Sequence, residues 1–131
     1  MEDLIIHHFG IVINSVDKYL ENSFFTSIEK KVYDPIQQSN LVLLKTNNNI
    51  YLELIEPVSK KATTYNFLKK RGGGYHHICF VVKNQNYLDQ IISDKKIKII
   101  WGPQPAILFD NKIIVFGYTQ NKELVEFIIN N

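Results

Sequence analysis

Cysteine is nearly absent: Cys79 is the single one in 131 residues, so no disulfide can form within the chain. No apolar run approaches the ~18–20 residues that a membrane-spanning helix needs. An excess of either charge is lacking as well. Lys and Arg number 15 against 13 Asp and Glu, a formal net charge of +2, and the densest basic cluster is the short "KKR" (Lys69–Arg71). Such a balance gives no electrostatic footprint for nucleic acid or an anionic membrane surface. The opening "MEDLIIHH" carries acidic residues where a secretory leader has a basic segment. These absences predict a soluble cytoplasmic domain with no nucleic-acid and no membrane partner. With 45% hydrophobic residues the chain can bury one real core.

Histidine is scarce too, but its placement is informative. All four lie in two doublets, "LIIHHFGIVI" (Leu4–Ile13) and "RGGGYHHICFVV" (Arg71–Val82), each leading into an apolar run. The runs "FGIVI", "NLVLLK", "IYLELI", "HICFVV", "IKIIW", "KIIVFGY" and "LVEFII" are short and rich in β-branched and aromatic residues, as strands are. "KKVYDPI" reads as a weaker eighth strand, with Pro35 at an edge or bend. Helical spacing predicts helices over Ser15–Phe25, with apolar Val16, Tyr19, Leu20 and Phe24, and over Asn84–Lys96. A third, connecting helix is predicted over Lys61–Arg71, stopped by Gly72–Gly74.

The predicted order is strand, helix, three strands, linker helix, then strand, helix, three strands: a duplication. Matching words support it. "HHFGIVI" answers "HHICFVV", "YLELI" answers "LVEFI", and "YLE" answers "YLD" in the two main helices. The fold class that follows is α+β: two tandem βαβββ modules forming a curved mixed sheet, helices on the outer face. Module 1 covers about residues 5–57, the linker helix about 61–71 and module 2 about 75–131, within a single domain of residues 1–131.

Strand parity gives His8, Gly10 and Val12 one face, and His77, Cys79 and Val81 the matching face. The last strand of each module holds one carboxylate in an apolar run, Glu53 and Glu126. An ionised carboxylate on a half-buried face is costly unless paired or bound to a metal. Two imidazoles and two carboxylates suit a borderline divalent ion such as Zn, Ni, Co, Mn or Fe, and two carboxylates neutralise its charge. Within each doublet the second histidine is in register, leaving His7 and His76 as caps or surface residues. The competing reading has His8 and His77 merely opening strands, with each glutamate facing solvent at a sheet edge.

"HHFGIVI", the block "LELIEPVSKKATTYNFLKKRGGGYHHICFVV" and "LVEFI" together resemble the vicinal oxygen chelate superfamily, and within it most the methylmalonyl-CoA epimerase subgroup. The resemblance covers nearly the whole chain. It implies one metal held by His8, Glu53, His77 and Glu126, with Glu126 also acting as the base that removes a proton α to a carbonyl. It implies a small-molecule substrate, an acyl-CoA thioester among the candidates, and a homodimer. Bacterial glyoxalase I shares the same four residue types, so a lactoylglutathione lyase is the nearest rival. A non-catalytic small-molecule or antibiotic-binding module and a ring-cleaving dioxygenase are the others.

The chain departs from the epimerase pattern in two places. Where that subgroup has a glutamate ahead of its third strand, this chain reads "YDPIQQSNL", placing Gln37 or Gln38 there and leaving Asp34 as the nearest carboxylate. Where the subgroup has a glycine-rich turn, "PQPAILFDNK" brings bulkier Ile107, Leu108 and Phe109. Gln37, Gln38, Trp101 and Phe109 are therefore the candidate substrate contacts, with packing the competing role for the aromatics.

Overall fold

The computed structural model describes residues 4–130; residues 1–3 and 131, the outer ends of the expected domain, lie outside it. Its elements are β1 (Ile5–Val12), α1 (Val16–Asn22), β2 (Ile28–Asp34), β3 (Ser39–Lys45), β4 (Tyr51–Pro57), α2 (Tyr65–Arg71), β5 (Gly74–Val82), α3 (Gln85–Lys95), β6 (Lys98–Ala106), a 3-10 turn (Ile107–Phe109), β7 (Lys112–Tyr118) and β8 (Leu124–Ile129). Strands dominate, and the βαβββ order occurs twice, so the chain is α+β. None of its described helices is long and apolar enough to cross a membrane.

Two compact units divide the chain: His8–His76, and the described part of Met1–His7 with His77–Asn131. Both boundaries fall inside the histidine doublets. In the first unit the strands run in the order β2-β3-β4-β1, and in the second β6-β7-β8-β5. The opening strand of each unit pairs in parallel with the last, β1 with β4 and β5 with β8. The remaining pairs within each unit are antiparallel. The repeat read from matching words thus recurs as one pairing scheme used twice.

In the first unit α1 covers one sheet face, where Val16 packs with Ile13, Val42, Leu44 and Leu54. In the second, Leu88 and Ile91 of α3 pack with Val82, Val115, Val125 and Phe127. The alternating strand positions point to the opposite face in each unit, and those positions carry both doublets' second histidines.

The helix expected over Asn84–Lys96 forms as α3 with those two residues as its caps, whereas α1 and α2 are shorter than expected. Ser15 caps α1 through Oγ, which accepts from the Lys18 amide at 3.3 Å. The helix ends at Asn22 because the Ser23 hydroxyl accepts from the Phe25 amide at 3.0 Å and donates to its carbonyl at 2.7 Å. A serine that bonds its own backbone neighbours competes with helix continuation. Phe24, expected on the apolar face, is 98% exposed as a result. The linker helix forms only over Tyr65–Arg71, since Ser59 holds a turn by accepting from the Lys61 amide at 3.2 Å. It closes on Gly72, at φ 72°, whose amide donates to the Leu68 carbonyl.

Gly73 serves a different need. Its φ is 102°, and a Cβ there would lie 2.7 Å from the Val12 carbonyl oxygen. Only glycine permits this approach of the β5 entry to β1.

Candidate metal centre

The two units build the same constellation. In the first, β1 and β4 pair so that Gly10, two residues past His8, stands opposite Glu53. In the second, Cys79, two residues past His77, stands opposite Glu126. In each unit the histidine and the glutamate therefore share a face across a parallel pair, displaced by two residues. His8 Nε2 lies 3.3 Å from Glu53 Oε1, and His77 Nε2 lies 3.0 Å from Glu126 Oε1. All four residues are buried, with relative exposures of 0% and 4% in the first pair and 1% each in the second. Burial disposes of the competing reading in which each glutamate faces solvent.

The separations match a coordination sphere. With metal–ligand bonds of about 2.0–2.2 Å, two donor atoms stand roughly 3.0 Å apart at a right angle and roughly 3.4 Å apart at the tetrahedral angle. Each N···O pair therefore has the length of one edge of a coordination polyhedron, and its donors are the types a borderline divalent ion takes. In each pair a histidine nitrogen and a carboxylate oxygen stand side by side, and both atoms can offer a lone pair to a cation.

The second pair has aromatic support. Phe116 stands opposite Glu126 on β7, and its ring meets the His77 ring edge-on at 5.0 Å. Trp101 stands opposite Phe116 and meets it edge-on at 5.7 Å. Trp101 thus lies on the ligand-bearing face, in the row Cys79–Glu126–Phe116–Trp101. The first unit presents the row Gly10–Glu53–Leu43–Lys30. Lys30 had no signal in the sequence, because its facing depends on a bulge in β2 that no local pattern announces.

The other expected contacts are placed differently. Gln37 and Gln38 form the β2–β3 turn; the Gln38 side-chain oxygen accepts from the Ser59 hydroxyl, and the Gln37 amide donates to Asp34 Oδ1 at 3.1 Å. The Ile36 amide donates to the same Asp34 oxygen at 2.8 Å, so that carboxylate holds the turn. Phe109 ends the 3-10 turn and receives the His7 ring edge-on at 5.2 Å. His76 packs edge-on against Phe67 at 4.9 Å. The first histidine of each doublet is thus a half-buried packing residue rather than a cap or a surface group. A cavity of about 590 Å³ opens on the helix-covered face of the first unit, lined by Tyr19, Phe24, Phe25 and Leu52. Its lining includes no histidine and no carboxylate, so this cavity is not the candidate centre.

A mixed βαβββ pairing scheme used twice, with a buried His–Glu pair in each copy, defines a class. The chain belongs to the Glyoxalase/Bleomycin resistance protein/Dioxygenase superfamily, whose model matches residues 7–116. It is 28% identical over 98 residues to the uncharacterized protein YqjC of Bacillus subtilis (strain 168), covering 72% of this chain and 69% of that one. It is 26% identical over 99 residues to the mitochondrial methylmalonyl-CoA epimerase of Bos taurus, covering 72% of this chain. The match spans 56% of that longer relative, little more than half of it. Among solved structures, Streptomyces coelicolor methylmalonyl-CoA epimerase in complex with 2-nitronate-propionyl-CoA superposes with a TM-score of 0.78 at 24% identity. That likeness, over 95% of this chain and 93% of the other, is one of fold.

Proposed function

We propose that this protein is a metal-dependent isomerase of the epimerase type, exchanging a proton α to the carbonyl of an acyl thioester, and that His8, Glu53, His77 and Glu126 share one divalent ion. The observation that carries the reading is the repetition of one buried His–Glu pair at one register in both units. A duplicated module that merely packed well would have no cause to keep a costly buried carboxylate in each copy. The relatives' names supply the substrate class, an acyl-CoA.

Bound at these donors, a divalent ion supplies Lewis-acid polarisation of a carbonyl oxygen. The chain's own residues do the rest. Glu126 is the base: its carboxylate takes the α-proton and returns it. Phe116 fixes the plane of the His77 ring. Trp101, at the end of the same row, contacts the substrate.

Inversion at the α-carbon needs a second proton carrier on the opposite side. The amides of Gln37 and Gln38 cannot carry a proton, and Asp34 Oδ1 accepts from two backbone amides. Removal of the α-proton is the half of that reaction which Glu126 carries, and its test is direct. The zinc- or cobalt-loaded protein is incubated with methylmalonyl-CoA and with propionyl-CoA in deuterated water, and deuterium at the α-carbon is followed by mass spectrometry. Incorporation that disappears in Glu126→Gln supports the reading. Loaded protein that exchanges neither substrate above the buffer rate contradicts it.

A further inference from the structure

The cavity of about 590 Å³ on the helix-covered face of the first unit takes no part in the metal centre. Its floor is sheet: Ile11 and Ile13 at the end of β1, and Leu52 on β4, all packed with the α1 cluster. Ile11 and Leu52 are only half-buried, so apolar surface stays open toward the cavity. The sheet separates this floor from the candidate ligands. Gly10 and Glu53, the chain neighbours of Ile11 and Leu52, point to the other face.

Three aromatic rings reach the same cavity: Tyr19 from α1, then Phe24 and Phe25 beyond it. Phe24 stands there because Ser23 ends the helix, and its ring is 98% exposed. Gly72 and Gly74 line another part, where a Cβ on either would meet nothing within 4 Å. Small-molecule sites commonly enclose roughly 300–1,000 Å³ between apolar and aromatic walls, and this cavity fits that description.

The charge of the lining is one-sided. Lys18 is its single charged residue, and no carboxylate lines it. Ser15 Oγ accepts from the Lys18 amide, the Asn22 side chain donates to the Lys18 carbonyl, and the Ser23 hydroxyl bonds the Phe25 backbone. With those groups spent on the helix and its end, a ligand's polar end falls to Lys18, with Asn14. One ammonium beside an apolar floor selects a monoanion with an apolar body. Like charge is repelled there, and further charges along the body would lose their hydration on the floor.

We infer that this cavity is a second small-molecule site, taking a monocarboxylic acid whose body is an apolar chain or ring. The body lies on Ile11, Ile13 and Leu52, and the carboxylate meets Lys18. The site stands whether or not the four candidate ligands hold an ion, since it uses none of them.

The probes are decanoate and decyltrimethylammonium, which share one alkyl chain and carry opposite charges. Each is titrated into the full chain, wild type, Lys18→Glu and Lys18→Arg, with methyl NMR as the readout. Ile11, Ile13 and Leu52 report the cavity floor, and Ile55, two residues past Glu53 on β4, reports the other face. Decanoate is expected to give saturable shifts that are largest at the three floor residues. Decyltrimethylammonium binds about 5-fold more weakly or worse, because its charge opposes Lys18. Lys18 is exposed, so its variants stay folded. Lys18→Glu reverses the preference and Lys18→Arg keeps it. No saturable shift at about a millimolar decanoate overturns the inference. Equal affinity for the two probes, or a preference unchanged in Lys18→Glu, does the same. Shifts centred on Ile55 would move the acid to the side of Glu53 and also overturn it. So would sedimentation that shows a dimer which Phe24→Ser dissociates, for a second copy would then fill the cavity.

Discussion

His77 Nε2 lies 3.0 Å from Glu126 Oε1, with both side chains almost fully buried. An aromatic edge from Phe116 stands against the imidazole. The pair is reproduced by His8 and Glu53 in the other unit, at 3.3 Å. Burying carboxylates this way is unfavourable for folding alone.

Glu126→Gln removes a buried negative charge while nearly keeping the size and shape of the side chain. The metal-free variant is expected to be at least as stable as metal-free wild type. The metal response should go the other way. Zinc at about 100 times its dissociation constant stabilises wild type by about 2.7 kcal/mol, and should do nothing for the variant. Thermal unfolding with and without zinc checks both halves. A metal-free variant clearly less stable than wild type would mean that the carboxylate serves the fold rather than an ion.

The glycines between α2 and β5 should differ sharply. An alanine Cβ at Gly72 meets nothing within 4 Å, whereas at Gly73 it meets the Val12 carbonyl oxygen at 2.7 Å. Both positions have positive φ, so each substitution carries about 1 kcal/mol of backbone cost. Gly73→Ala adds a clash with main chain that cannot rotate away, and is expected to lose at least about 2 kcal/mol. Urea midpoints at unchanged slope measure the difference, and equal losses would contradict the close approach.

Glu56 caps α1 from a distance in sequence: Oε2 accepts from the Val16 amide at 2.8 Å and Oε1 from the Asn40 side chain at 2.7 Å. Glu56→Ala should cost about 1–2 kcal/mol, as the loss of a helix cap does. Metal uptake should be unaffected, because Glu56 points to the helix-covered face, opposite Glu53. Loss of zinc binding in this variant would place Glu56 among the ligands instead.

The sequence revealed what depends on period and repetition. Alternation in "YLELI" and "LVEFI" set the face of each glutamate, and the doublets marked equivalent strand starts, so the four buried groups were legible. Local competition was not: Ser23 turning the chain out of α1 left Phe24 in solvent, against its helical spacing. Neither was anything set by an extra residue in a strand. The bulge before Lys30 moves that side chain to the other face, while a strict alternation from Ile28 would have left it with α1. The role of Glu56 was hidden for a third reason, since its partners Val16 and Asn40 come close only through β-pairing.

If the two His–Glu pairs serve one ion, metal stoichiometry shows it most directly. Purified untagged protein, stripped and then reconstituted with zinc or cobalt, is assayed for metal per chain by mass spectrometry, beside His8→Ala and His77→Ala. One ion per chain, lost in both variants alike, is the predicted result. No ion after reconstitution, or two ions per chain with each variant losing only one, would contradict it.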